Sequence, residues 1–145
     1  HEPGNFKVPF GMNQAELIEA AGGYKVDPEK IISGGPMMGF SMFTVDVPVT
    51  KTSSSILCFT KDEVAQYEPT ACINCGRCVE VCPSRLIPSR LADYAEHHDE
   101  EAFTKHEGLE CMECGSCSYV CPAKRQLKQA IGSMRKTALA NRKKK

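Results

Sequence analysis

Short runs of apolar and polar residues over positions 1–66 predict a small α+β unit. Residues 6–10 alternate as a strand does, although Pro9 lacks a backbone donor and favours the edge of a sheet. Residues 31–32 and the stretch 47–59, rich in Val, Ile and Thr, predict two further strands. With the helix described next, the predicted order is strand, helix, strand, strand, and it leaves one sheet edge unpaired.

The helix of this unit is predicted from its two ends. Asn13 followed by Glu16 resembles a capping box, in which side chains at both positions satisfy free backbone groups. Gly22-Gly23 supplies the flexible backbone that ends a helix. One short helix is therefore expected between these signals.

From Ala71 onward the pattern changes to two copies of a cysteine motif, 39 residues apart, with helical sequence between and after them. Two sets of residues recur at the i, i+3, i+4 and i+7 spacing of one helix face, Leu91, Tyr94, Ala95 and His98, then Leu127, Ala130, Ile131, Met134 and Ala138. Both stretches predict amphipathic helices, the second with most of its Lys and Arg facing away from the apolar stripe. The predicted domains are 1–66 and 67–145.

Composition allows one ordinary globular domain or two small ones. The 145 residues are 41% hydrophobic and 25% charged, and the longest apolar run stops far short of the roughly 20 residues of a membrane-spanning helix. Net charge is zero, yet residues 124–145 hold nine Lys and Arg and no Asp or Glu. This basic tail indicates an anionic partner, a membrane surface or simply a solvated terminus.

The cysteines carry the candidate chemistry. Each motif reads C-x2-C-x2-C-x3-C-P, a spacing that brings three thiolates of one loop onto three irons of a cubane. In bacterial two-cluster ferredoxins the fourth cysteine of each motif binds the other cluster. The predicted ligands are Cys72, Cys75, Cys78 and Cys121 for cluster 1, and Cys111, Cys114, Cys117 and Cys82 for cluster 2.

Zinc and disulfides are the alternatives. Eight cysteines could hold two zinc ions, but zinc ligands usually arrive as separated pairs, so the spacing favours two 4Fe-4S clusters. The chain has nine cysteines in all, and an odd number argues against a closed disulfide framework.

The remaining metal-ligand candidates have simpler explanations. Cys58, the ninth cysteine, lies in an apolar strand-like run and is expected to be a small core residue. His97, His98 and His106 lie among acidic residues and are expected on a solvated face. No nucleotide-binding loop or nucleophile motif is recognised, so the chain is expected to carry electrons without a substrate site of its own.

The sequence resembles the C subunit of the Rnf complex, the membrane-bound ion-translocating ferredoxin:NAD+ oxidoreductase, in its C-terminal part. Three segments resemble its SLBB-type β-grasp region: residues 3–9, Ser33-Gly34-Gly35-Pro36-Met37-Met38-Gly39 and residues 47–52. The two cysteine motifs, with Lys124 and Arg125 after the second, resemble its dicluster module.

This resemblance implies a fold class of α+β, with a partial β-grasp domain over 1–66 and a mostly α-helical ferredoxin-like domain with two 4Fe-4S clusters over 67–145. It implies electron transfer as the relay of that oxidoreductase, peripheral on the cytoplasmic face of the bacterial inner membrane. The implied partners are the membrane and ferredoxin-like subunits and a flavin/NADH domain. FMN and NADH are expected on an N-terminal part that this chain does not contain, and no nucleic acid is expected.

Two other functions remain open at this point. A related flavoprotein reductase, such as a cobalamin reductase, resembles the Rnf protein over the same region. A structural module that binds zinc and interacts with other proteins is the alternative of another class.

Overall fold

The chain divides into two compact units, residues 1–66 and residues 67–145. A computed structural model describes residues 2–143. Lys144 and Lys145, the end of the predicted basic tail, lie outside the described residues.

Within the described residues, the first unit contains one α-helix, a 3₁₀ helix over Glu63–Gln66 and a three-stranded antiparallel sheet. The helix α1 spans Gln14–Ala20, and the strands are β1 (Lys30–Ser33), β2 (Phe40–Met42) and β3 (Ile56–Phe59), in the order β2-β1-β3. In the register, Ile31 lies opposite Met42 on one side and Cys58 on the other. The sheet is thus centred on the Ile31-Ile32 strand that the sequence predicted.

The helix begins and ends where its signals predicted. Asn13 caps α1, and its side chain accepts a hydrogen bond from the Ala15 N–H at 2.8 Å. After the helix, Gly22 and Gly23 adopt φ values of 88° and 69°, and the Gly23 N–H donates to the Ile18 carbonyl. Glycine tolerates such angles without the steric penalty that a Cβ would bring.

The strand predictions were only partly right. The predicted strand over residues 6–10 does not form. The chain after it instead pairs with Val49, which accepts a hydrogen bond from the Gly11 N–H and donates one to the Met12 carbonyl. Of the predicted stretch 47–59, only β3 joins the sheet. The strand β2, over Phe40–Met42, was not predicted, and the observed order is helix, strand, strand, strand.

The second unit is helical, with two long helices. They are α3 (Pro88–Glu96) and α6 (Leu127–Arg142). The short α2 (Arg77–Glu80) precedes α3, whereas α4 (Glu100–Lys105), a 3₁₀ turn over Gly108–Glu110 and α5 (Ser116–Tyr119) lie between α3 and α6. Both predicted amphipathic helices are confirmed, although His98 lies beyond the end of α3. Pro88 occupies the first turn of α3, where its missing N–H costs no hydrogen bond.

The core of this unit lies between α3 and α6. Phe103, Leu91 and Ile131 are its largest fully buried side chains. Five cysteines pack against this core, namely Cys78, Cys82, Cys111, Cys117 and Cys121. The helices therefore form an apolar wall on which both cysteine motifs rest.

Candidate metal centre

One cavity of the second unit combines thiols from both motifs. Its wall includes three cysteines of the first motif, Cys72, Cys75 and Cys78, together with Cys121 from the end of the second. The empty space within it, including its open mouth, is about 550 Å³. We call it the first cavity. Arg77 and Arg125 also line it.

A second cavity has the reciprocal composition. It is lined by Cys111, Cys114 and Cys117 of the second motif and by Cys82 from the end of the first, around about 390 Å³ of empty space. Apolar residues form much of the rest of its wall, namely Pro83, Leu86, Pro88, Leu91, Met112 and Ile131. The structure thus gathers the eight predicted cysteines into the two sets of four that the crossed pattern predicts.

The backbone repeats with the sequence. Gly76 and Gly115 have φ values of 76° and 83°, and each immediately precedes a one-turn helix, α2 or α5. Asn74 and Glu113, also 39 residues apart, both have a φ of 55°. A left-handed backbone therefore recurs at matching positions of the two loops, and glycine adopts it without strain.

Backbone N–H groups donate to sulfurs of the motif cysteines. The Leu86 N–H lies 3.4 Å from Cys82 Sγ, and the Glu113 N–H lies 3.4 Å from Cys111 Sγ. Both sulfurs belong to the second cavity. Hydrogen bonds to cluster sulfurs are one of the means by which a protein sets a reduction potential.

The two sets differ in their exposure to solvent. Cys72 and Cys75 are exposed, whereas the other six cysteines of the motifs are half-buried. Solvent access also tunes the potential of a cluster. Identical donor sets therefore occupy different environments.

Burial changes the acidity of the second set in the metal-free protein. It raises the pKa of the Cys111 thiol, and it raises that of Cys117 to about 11. A hydrogen bond from the Ser116 backbone lowers the pKa of the Cys114 thiol. Since a metal binds the thiolate, loading this set must displace protons.

The donor sets fit 4Fe-4S clusters. Four cysteine thiolates are the standard ligands of such a cluster, and each cavity offers four. Within residues 2–143, no three His, Cys, Asp or Glu side chains stand in the arrangement that a single metal ion requires.

The exposure of Cys58 contradicts the prediction made for it. It lies on β3 and is exposed, so its assignment as a core residue was wrong. The apolar letters around it suggested burial, but β3 is an outer strand of a small sheet. The three histidines are exposed as predicted, and His97 and His106 end α3 and α4.

The contacts of two arginines near the cavities were not predicted from sequence. Arg125 Nη2 lies 2.8 Å from Glu96 and 3.2 Å from Asp93, both on α3. Arg135 contacts Glu113 between two cysteines of the second motif. The basic residues of α6 were predicted to lie mostly away from its apolar stripe, and Arg135 is an exception. Only the pairing of each arginine with a distant carboxylate reveals these roles, and no local pattern signals it.

No helix within the described part of the chain is long and apolar enough to cross a membrane.

Two domain families match the sequence. Residues 71–125 match the 4Fe-4S dicluster domain, and residues 1–41 match the SLBB domain. These matches agree with the α+β organisation, with the cysteine motifs in the second unit.

Relatives are named as the C subunits of ion-translocating oxidoreductase complexes. The C subunit of the Na+-translocating ferredoxin:NAD+ oxidoreductase of Acetobacterium woodii is 42% identical over 98% of this chain and 32% of its own length. The proton-translocating counterpart of Clostridium ljungdahlii is 47% identical over 63% of the chain and 20% of the relative. The C subunit of an ion-translocating oxidoreductase of Methanosarcina acetivorans is 43% identical over 66% of the chain and 22% of the relative.

The chain thus spans about a third or less of the length of these curated relatives. The resemblance to the C subunit of the Rnf complex is confirmed.

Proposed function

We propose that this chain carries electrons through two 4Fe-4S clusters in an ion-translocating ferredoxin:NAD+ oxidoreductase. Nearly all of the chain is similar to one part of such a C subunit. The observation that carries the proposal is the pair of cavities, each with three thiols of one motif and one of the other. Cluster 1 takes Cys72, Cys75, Cys78 and Cys121, and cluster 2 takes Cys111, Cys114, Cys117 and Cys82.

The residues of the chain hold, shield and tune the two centres. When bound, each cluster supplies a site that accepts and releases one electron. The thiolates fix the position of each centre, and exchange of the fourth cysteine ties the two motifs into one structure. The apolar wall of the second cavity, which includes Leu91 and Ile131, limits the access of water there.

The exposure of Cys72 and Cys75 supports a proposal about which of the two clusters contacts partner proteins. Electron transfer to another protein requires a close approach to the cluster, and the first cavity offers its ligands at the surface. We therefore assign cluster 1 to exchange with the outside and cluster 2 to the enclosed part of the relay.

The names of the relatives support a proposal about the complex in which the chain carries electrons. We propose that this chain works with the membrane and ferredoxin-like subunits of such a complex, peripheral on the cytoplasmic face of the bacterial inner membrane. FMN and NADH belong, in this proposal, to a part of the full-length protein outside this chain. The oxidoreductase activity is that of the whole complex, in which this chain is the electron carrier.

The deciding test is the metal content of the chain prepared anaerobically. We expect about eight iron and eight acid-labile sulfide per chain, and interacting EPR signals after reduction. Cys58→Ala is the matched control and should leave these counts unchanged, since Cys58 lies in neither cavity. Zinc in place of iron would overturn the proposal and leave a structural module.

A further inference from the structure

Glu113 occupies a special position in the second motif. It lies between Cys111 and Cys114, and its own N–H donates to Cys111 Sγ. Its φ of 55° is unusual for a residue other than glycine, Asn or Asp. The corresponding residue of the first motif, 39 positions earlier, is the neutral Asn74.

The carboxylate of Glu113 lies against α6. A Cβ added at Gly132 would stand only 2.9 Å from Glu113 Oε2, so the absence of a side chain there makes room for the carboxylate. One turn further along, Arg135 Nη1 lies 3.4 Å from Glu113 Oε1. Both side chains are largely shielded, with exposed fractions of 31% for Arg135 and 24% for Glu113.

Arg135 also holds the chain on the other side of Cys111. Its Nε donates to the carbonyl oxygen of Leu109 at 2.8 Å. One guanidinium thus contacts the residues two positions before and two positions after a predicted cluster ligand. Its planar group can make both contacts at once, which a lysine ammonium cannot do with the same geometry.

The charges differ at the matching positions of the helices that follow the two motifs. Asp93 and Glu96 of α3 correspond, 39 residues earlier, to Gly132 and Arg135 of α6. The two acidic residues contact Arg125, which lines the first cavity. The backbone conformation therefore repeats between the two motifs, whereas the charged residues around them do not.

We infer that Arg135 is a positioning residue that raises the reduction potential of cluster 2 by neutralising Glu113 and holding the Glu113 N–H on Cys111 Sγ. This inference rests on the proposed function, since it requires that a cluster be bound. An unpaired carboxylate beside the ligands would oppose the added electron, and loss of the N–H···S bond would act in the same direction. The pair thus makes the two centres unequal.

The test is an EPR-monitored redox titration of the full chain with its clusters assembled. In Arg135→Gln, one of the two midpoint potentials should become more negative while the other stays in place. Lys136→Gln is the matched control, since it removes the same charge from the adjacent, exposed position and should move neither potential. Arg135→Lys keeps the charge and should recover part of the shift.

Glu113→Gln separates tuning from folding. It removes the negative charge and keeps an oxygen for Arg135, so the same potential should become more positive. If Arg135→Gln loses iron, this second variant decides the matter. Unchanged potentials in the iron-loaded variants would overturn the inference and leave the proposed function standing, whereas a wild-type chain without iron would overturn the proposed function itself.

Discussion

The backbone N–H of Thr70 donates a hydrogen bond to the carbonyl oxygen of Ala123 at 3.0 Å. Thr70 lies two residues before Cys72, and Ala123 lies two residues after Cys121. This contact joins the entrance of the first motif to the exit of the second, beside the first cavity. Cys72 and Cys121, two of the four predicted ligands of cluster 1, are thereby brought together across about fifty residues of chain.

Exchange of the fourth ligand predicts which centre each cysteine serves. Replacement of Cys82 by Ser should damage the centre held by Cys111, Cys114 and Cys117 more than the centre next to it in sequence. Iron content and the loss of one EPR signal measure this. The reciprocal variant, Cys121→Ser, should remove the other signal, and loss of the same signal in both variants would contradict crossed ligation.

Arg125 is expected to stabilise the segment that carries Cys121. Its guanidinium, only 12% exposed, bridges Asp93 and Glu96, so Arg125→Gln should weaken the attachment of this segment to α3. We expect the free energy that holds this segment on α3 to fall by about 1 kcal/mol, a value typical of a well-formed ion pair near the surface. The measurement is the rate at which a chelator removes iron, with the exposed Arg90→Gln as control. Equal rates for the two variants would contradict the prediction.

Phe103 is expected to dominate the stability of the second unit. It is fully buried against α3 and α6, and truncation of such a ring typically costs about 3–5 kcal/mol. Phe103→Ala should lower the free energy of unfolding by this amount in anaerobic guanidinium titrations followed by circular dichroism. Thr104→Ala, at the next and exposed position of α4, should change it by about 0.5 kcal/mol or less. A similar effect of both variants would show that the ring is not packed as described.

In the first unit, the contact between Lys30 and Asp62 predicts that the free energy of unfolding depends on pH. Lys30 Nζ lies 2.9 Å from both carboxylate oxygens, and this hydrogen bond lowers the pKa of Asp62. A carboxyl whose pKa is lower in the folded state stabilises it fully above the unfolded value of about 3.9. That contribution is lost as the pH falls through the folded pKa.

Lys30→Gln should therefore destabilise the chain near neutral pH, and the difference from wild type should disappear in strong acid. Urea titrations at a series of pH values measure it, and an NMR titration of the Asp62 carboxyl reports its pKa directly. The exposed Lys51→Gln is the control. A difference that persists below the pKa of Asp62 would rule out this pair as the cause.

The basic end of the chain predicts salt-dependent association with anionic surfaces. Arg142 and Lys143 are exposed at the end of α6. Removal of residues 142–145 should weaken binding to vesicles that contain anionic lipid, by roughly 1 kcal/mol per basic residue. Neutral vesicles are the control. Equal binding of both chains to anionic vesicles at low salt would contradict this prediction.

The sequence by itself determined the features that depend on neighbouring residues. Asn13 predicted the start of α1, because a capping side chain reaches the backbone only two or three residues away. The apolar spacing predicted α3 and α6, and the two-residue gaps predicted loops of three converging thiols. The strand over residues 6–10 failed for the complementary reason, because a strand exists only if a partner offers its backbone, and the chain there pairs with the segment around Val49 instead.

Only the tertiary structure decided which distant groups meet. The exposure of Cys58 depends on the position of β3 at the edge of the sheet, and its apolar neighbours in sequence do not reveal it. The pairing of Arg135 with Glu113 depends on α6 packing across the second motif, with Gly132 at the point of contact. Two identical cysteine spacings predict two identical donor sets, and the packing of α3 and α6 surrounds them with different charges and different access to solvent.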